Sequence, residues 1–563
     1  MNNPGTTELW DISPQKELMN PIDDCSETLP TFEASLNAHG MYETMRFVLR
    51  LSPRNHELID SITSGQHSLG DISSEALQAY STYIHETVHW WQHVGTTSGL
   101  LFSLSYLGQT HANIAELRDV IATFGCKKPL KCWTDEVLLR EGSSAQSKLA
   151  KANIAVNNAL DVEYYKSYAY RPKQTVTWLV EQTHFESIGH GYHIAYGQLL
   201  GLLSAAVDSD FLVLPNPANW DKEFARLNRA EHEGFYYGSP VRVPPVGLHA
   251  IYEGQARFVQ LQFLNATRAK TPSCQEWREM GYLSGIYVEA FEQFLALSKS
   301  TWPEDVSDPI IGLFLLICDL AINPTRGFPL NIQSFEDFIT DADVGVRFTQ
   351  LSFAVADLPH LRTAIHSHSR EEYVAVSKQL TTEIGYDEPL AALEEVARWV
   401  DQSPGLAHLM SEHKTFEFGL TNLPIRVFFS HFVSFARDKL ARPEFFCWPG
   451  VWMVGSDVDD KTLALWLRHL SLFSDRGDKP GVYPRKWPDR DEKTVKVTFE
   501  RFYGTMALYD LTRQWILKEG PFVCNFEWLL ENYSQERADA WANDSFRQVY
   551  GVTLEDFEIL ACP

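Results

Sequence analysis

The chain has 563 residues, 44% of them hydrophobic, and a formal net charge of −25. That length exceeds what a single hydrophobic core usually serves, and the composition excludes a disordered protein. The acidic excess excludes nucleic acid and anionic membranes as partners, because phosphate binding needs clustered Lys and Arg.

Residues 1–40 are polar and carry Pro4, Pro14, Pro21 and Pro30, so an irregular arm is expected. The arm has no basic start followed by an apolar run and does not read as a secretion signal. In Thr44–Ser52, Met45, Phe47, Leu49 and Leu51 alternate, which predicts a half-buried strand. Its plain reading is a core strand, with a peptide-binding edge as the alternative. The next segment, "HELIDSIT", is expected to extend a small sheet. A long helix follows, with Asp71, Ser73 and Ser74 as candidate caps. Leu77, Tyr80, Ile84, Val88 and Trp91 form its core stripe, and Gly95 or Gly99 ends it.

Further helices are predicted over about 104–124, 145–168 and 174–208, and Pro215–Gly247 reads largely as a loop. A strong helix begins near Leu248 and runs past Phe263. Others are predicted over about 276–299, 309–322, 344–356, 370–383, 388–402, 424–440, 461–473, 496–518 and 535–549. The apolar run Ile310–Ile322 is too short to span a bilayer and contains Asp319, so it is expected to be a buried helix. A charged, Pro-bearing stretch, Ser474–Lys493, separates the last helices; its Arg-Gly-Asp triplet is attributed to chance. The eight cysteines are scattered with no CxxC pair, which predicts reduced thiols and a cytoplasmic location. The expected fold is mainly α, with a small N-terminal β element. It divides into the arm at 1–40, a metal-binding catalytic domain at 41–345 and a helical accessory domain at 346–563.

The chemistry concentrates in "IHETVHWWQHVG", Ile84–Gly95. Residues four apart stack on one helix face, so His85 and His89 can present two imidazoles to one ion. Glu86 lies about 100° further round, beside that ion, where a general base belongs. Chance alone gives on the order of 0.05 such H-E-x-x-H matches in the chain. A catalytic zinc needs a third protein ligand. The candidates are Glu253, in "GLHAIYEGQARFVQLQFL", where Gly254 and Ala256 are expected to allow close approach to the first helix; His93, two turns from His85; and His249, one turn before Glu253. Glu253 is preferred. Trp91 is assigned to the core, and Trp90 is left between core and pocket.

"HETVH" followed by a distant "YEGQA" resembles the gluzincin class of zinc metallopeptidases. The resemblance covers these two helices and the segment between them. It implies a zincin-like core, one zinc ion held by His85, His89 and Glu253, and Glu86 as general base. The implied reaction is peptide-bond hydrolysis of a peptide or protein substrate. The chain departs from thermolysin-like members at Arg257, where they carry an acid, and it lacks the G-x-M-E-N string of the large aminopeptidases. The oxyanion of such a reaction needs a second electrophile. His193, Tyr236 and Tyr237 are the candidates, His193 because Glu186, His190 and His193 share a helix face. Two other classes compete. Glu86-x-x-His89 and Glu181-x-x-His184 repeat the E-x-x-H element of helical di-iron proteins, and the three-ligand site would also suit a single iron. A non-catalytic helical binding protein with a degenerate site is the last. The "HSH" at His366–His368 is expected to be solvated.

Overall fold

The computed structural model describes residues 40–562, apart from 45, 64–71, 268–270, 455–457, 480, 488 and 526–533. The expected arm, all but its last residue, lies outside the described residues, as do Met45 and Asp71. The rest is mainly helical, with a few short strands.

The strand expected over Thr44–Ser52 is instead a hairpin. β1 (Gly40–Glu43) turns back on β2 (Val48–Leu51) with Gly40 opposite Leu51 and Glu43 opposite Val48. Phe47 makes the turn at φ 59°, and the contact of its ring with Phe428, centroids 4.4 Å apart, fills the buried position. Every residue of β2 is buried, which overturns the half-buried reading. β2 is an inner strand, antiparallel to β1 and parallel to the later strand Phe473–Ser474, so it offers no free edge. Arg50 is tolerated there because its Nε donates to Glu43 Oε2 at 2.7 Å. "HELIDSIT" does not extend the sheet. It lies in the helix Pro53–Thr63, whose proline starts the first turn and whose Leu58 and Ile59 are buried.

Most predicted helices are present within a few residues. Two are broken. The segment 174–208 divides into Pro172–Glu181 and Ile188–Val207, because Ser187 accepts from the His190 N–H and starts a new helix. The segment 276–299 divides into Cys274–Glu279 and Ile286–Leu297 across Gly281 and Gly285, both at positive φ. The loop expected over Pro215–Gly247 contains the helix Trp220–Arg229, which buries Trp220, Phe224 and Leu227 at helical spacing. The charged stretch after Phe473 supplies strand Tyr483–Pro484 to the N-terminal sheet.

One apolar core runs from Tyr42 to Tyr509. Helix Pro309–Ile322 lies in it with every residue from Ile310 to Ile322 buried. Asp319 is accommodated by Lys439 and by the Tyr373 hydroxyl, which donates to it at 2.9 Å. Among the described residues no helix is long and apolar enough to cross a membrane. A second core gathers Leu117, Trp515, Phe546 and Phe557 near the C-terminus, where Lys127–Lys128 pairs in parallel with Glu558–Ile559. That pairing brings Cys562 to Cys132, and the two form a disulfide. The expectation that all the cysteines are reduced is therefore corrected; Cys126, Cys274, Cys318 and Cys447 remain free thiols.

Candidate metal centre

Two helices build the centre. The histidine helix, Ser74–Trp90, is capped by Ser73, whose side chain accepts from the Ala76 N–H. Its second half is buried on all sides, because the N-terminal sheet and the glutamate helix, Leu248–Ala266, both pack against it. Gly254 does not serve that approach. A Cβ there would stand 3.3 Å from the Phe314 ring and 3.5 Å from Ala290, so the glycine admits helices 309–322 and 286–297 instead.

The helix does not stop at Trp90. It widens into a π-helical turn, Trp91–Gly95, that is closed by Thr96. The Thr96 hydroxyl donates to Gln92 O at 2.6 Å and accepts from the Gly99 N–H at 3.0 Å. Gly95 ends this turn, whereas Gly99 lies inside the next helix, Thr97–Phe124. Trp90 and Trp91 are both core residues. Trp91 packs among Phe435, Phe446 and Trp466, and Trp90 meets Tyr42 and Phe428, so both are packed as core.

His85, His89 and Glu253 converge. The two Nε2 atoms are 3.1 Å apart, and Glu253 Oε2 is 3.5 Å from His85 Nε2 and 3.4 Å from His89 Nε2. Ligands about 2.0–2.1 Å from a tetrahedral ion are separated by about 3.3 Å, so these three atoms have the spacing of one face of a zinc tetrahedron. The proton inventory agrees. Gln92 Nε2 donates to Tyr252 O at 3.0 Å and to Gln255 Oε1 at 2.9 Å, which turns its Oε1 toward His89 Nδ1, 2.7 Å away. Neutral His89 therefore carries its hydrogen on Nδ1, and its Nε2 presents a lone pair to the Glu253 carboxylate. Two acceptors facing each other in a buried site call for a cation between them, either a proton on His89 Nε2 or a metal ion.

The electrostatics state the same demand. Burial pushes His85 down, to about 4. Burial also disfavours charge on His89, but Glu253 and Glu86 outweigh it and hold His89 up at about 9. Burial opposes ionisation of Glu253 as well, and the two imidazoles overcome it, keeping the carboxyl well below its usual range. Glu86 is 5% exposed, and burial raises its carboxyl to about 7 against the opposing pull of His89. β1 lies directly over it: a Cβ on Gly40 would stand 3.0 Å from Glu86 Oε1, and the Tyr42 backbone N–H bonds to the carboxylate.

The other candidate ligands face elsewhere. His93 is stacked on Tyr42 with centroids 5.2 Å apart, against Phe102 and Tyr252, and burial pushes it down to about 3. His249 stacks on Tyr170, and its Nδ1 accepts from Arg171 Nε at 3.0 Å. The expected oxyanion residues are not brought to the centre. His193 packs on Phe224 and pairs with Asp221 at 3.1 Å, in the wall of a separate cavity of about 440 Å³ that also holds Glu186 and His190. Tyr237 is 71% exposed, and neither it nor Tyr236 makes a hydrogen bond or ring contact with the triad. The second E-x-x-H does not converge either, because His184 bonds to Asp135 and Asn157. Of His366–His368, His366 and Ser367 are exposed as expected, while His368 is half-buried with its ring packed on Trp448.

Two residues beside the centre were not among the expected site residues: Tyr287, which had no sequence signal, and Arg257, noted only as a departure from the thermolysin-like pattern. Tyr287 meets the His85 ring edge-on at 6.1 Å, and burial pushes its hydroxyl up to about 12, so it stays a donor. Arg257, one turn after Glu253, lays its guanidinium 3.8 Å over the Tyr287 ring. A cavity of about 620 Å³, lined by Arg278, Leu283, Gly285 and Glu289 among others, contains none of the three ligands. Compared with known protein families, curated proteins and solved structures, the chain matches none.

Proposed function

We propose that the protein is a zinc-dependent peptide-bond hydrolase with a zincin-like centre, in which His85, His89 and Glu253 hold one ion. The observation that carries this reading is the triangle of donor atoms, with edges of 3.1, 3.4 and 3.5 Å, which matches the ligand spacing of one face of a zinc tetrahedron. When bound, zinc supplies Lewis acidity, polarising a carbonyl and acidifying water.

The chain's own residues do the rest. Glu86 adjoins His85 in sequence and the centre in space, and its carboxyl near neutrality suits it to take a proton from the attacking water and return it to the leaving amine. β1 holds that carboxylate through the Tyr42 N–H. Tyr287, neutral and edge-on to His85, is the donor best placed for the developing oxyanion, a role first expected of His193, Tyr236 or Tyr237. Gln92 fixes the His89 tautomer and leaves Nε2 for the ion.

Two imidazoles and one carboxylate are also the donors of mononuclear iron oxygenases, which is the second reading. Glu86→Gln separates hydrolysis from the alternatives. The variant is expected to retain the wild-type metal content while cleavage of a peptide mixture falls about 10²- to 10⁴-fold. Undiminished cleavage would overturn the assignment of Glu86.

A further inference from the structure

Arg257 is 7% exposed, and among the described residues no carboxylate stands within ion-pair distance of it. Its Nη1 donates to a neutral partner, Gln260 Oε1, at 2.7 Å, while its Nε is buried with no partner. Glu86 acts on it through space without pairing with it, and Glu253, one turn earlier on its own helix, is turned toward His85 and His89. A buried guanidinium left without an anion is costly, and proteins rarely retain one unless something pairs with it. The side chain is also held in place. Its planar head lies 3.8 Å from the Tyr287 ring centroid and 5.4 Å from that of Tyr282. Tyr287 in turn touches His85. The fork is therefore fixed within one ring's width of the metal ligands, hydrogen-bonded only to the neutral Gln260 and Tyr287, with its Nε donor unused. The turn between the two tyrosines, Leu283–Gly285, lines the 620 Å³ cavity and puts open space beside the same short loop.

We propose that Arg257 is a specificity-determining residue that receives a carboxylate of the substrate, next to the bond to be broken. This rests on the hydrolase reading above and adds the substrate class: peptides with a carboxylate close to the scissile bond, at the chain end or on an Asp or Glu side chain. A guanidinium pairs with carboxylate through two parallel N–H bonds, a geometry lysine cannot reproduce.

The test uses three dipeptide hydroxamates and the zinc-loaded full-length protein. One probe ends in a free carboxylate, one in a carboxamide, and one in a carboxamide but with a glutamate side chain. Charge-assisted hydrogen bonds predict that wild type prefers a carboxylate-bearing probe over the plain amide by about tenfold to a hundredfold. Which of the two acids is preferred identifies the source of the carboxylate. Arg257→Gln, with its zinc content verified, is expected to lose the preference, and Arg257→Lys to keep only part of it. Equal binding of all three probes by wild type would overturn the proposal while leaving the metal centre intact. An unchanged preference in Arg257→Gln would also overturn it. Failure of every probe to bind would mean that the bound zinc has no open position, which overturns the hydrolase reading and this proposal with it.

Discussion

At the scale of single residues, the centre combines what a short sequence window carries with what it cannot. His85, Glu86 and His89 were legible because a helix of fixed period puts them on adjacent faces. Glu253 was legible through the "YEGQA" string that carries the resemblance, and the close approach expected of Gly254 is not what that glycine serves. Gly254 makes room for Phe314 and Ala290, not for the histidine helix. Gln92 was within reach, three residues after His89, but its role depends on a π-helical turn that periodicity does not announce. Tyr287 carried no signal, since its proximity to His85 exists only after helix 286–297 docks, and Arg257 stood out only as a departure from the family pattern, with no hint of the ring it lies on. Gln92 now carries a prediction. Gln92→Ala removes the acceptor that holds His89 Nδ1–H, and metal affinity measured by chelator competition is expected to fall about 10- to 100-fold. Unchanged affinity would show that the tautomer is not set by Gln92.

At the scale of elements, the junction of the histidine helix with the helix after it is the tightest point near the centre. A Cβ on Gly99 would stand 1.7 Å from Gln92 O, closer than any side chain tolerates. The widened turn and the next helix can therefore meet only through glycine. Gly99→Ala is expected to cost about 3 kcal/mol of stability in denaturant unfolding, because backbone rather than a flexible side chain must move. A loss below about 0.5 kcal/mol would mean that the turn is soft. The elements misread from sequence share a cause. Arg50 sits in an inner strand because Glu43 neutralises it, and helix 220–229 hides among prolines because only three apolar residues mark its buried face.

At the scale of the whole molecule, the N-terminal hairpin that covers Glu86 is continued by strands from residues 473–484, more than four hundred positions away. The same distance separates Cys132 from Cys562. Pairings between such remote segments leave no local pattern, so the sequence showed the helices and not how the C-terminal region closes over the metal helix. The account's central claim is that His85, His89 and Glu253 together hold one ion. Elemental analysis of wild type and Glu253→Ala, both purified without added metal, tests it most directly. The predicted result is about one zinc per wild-type chain and, because the third ligand is gone, a substantial loss in the variant. Metal-free wild type, or equal metal in both proteins, would contradict it, and one iron lost with Glu253 would favour the oxygenase over the hydrolase.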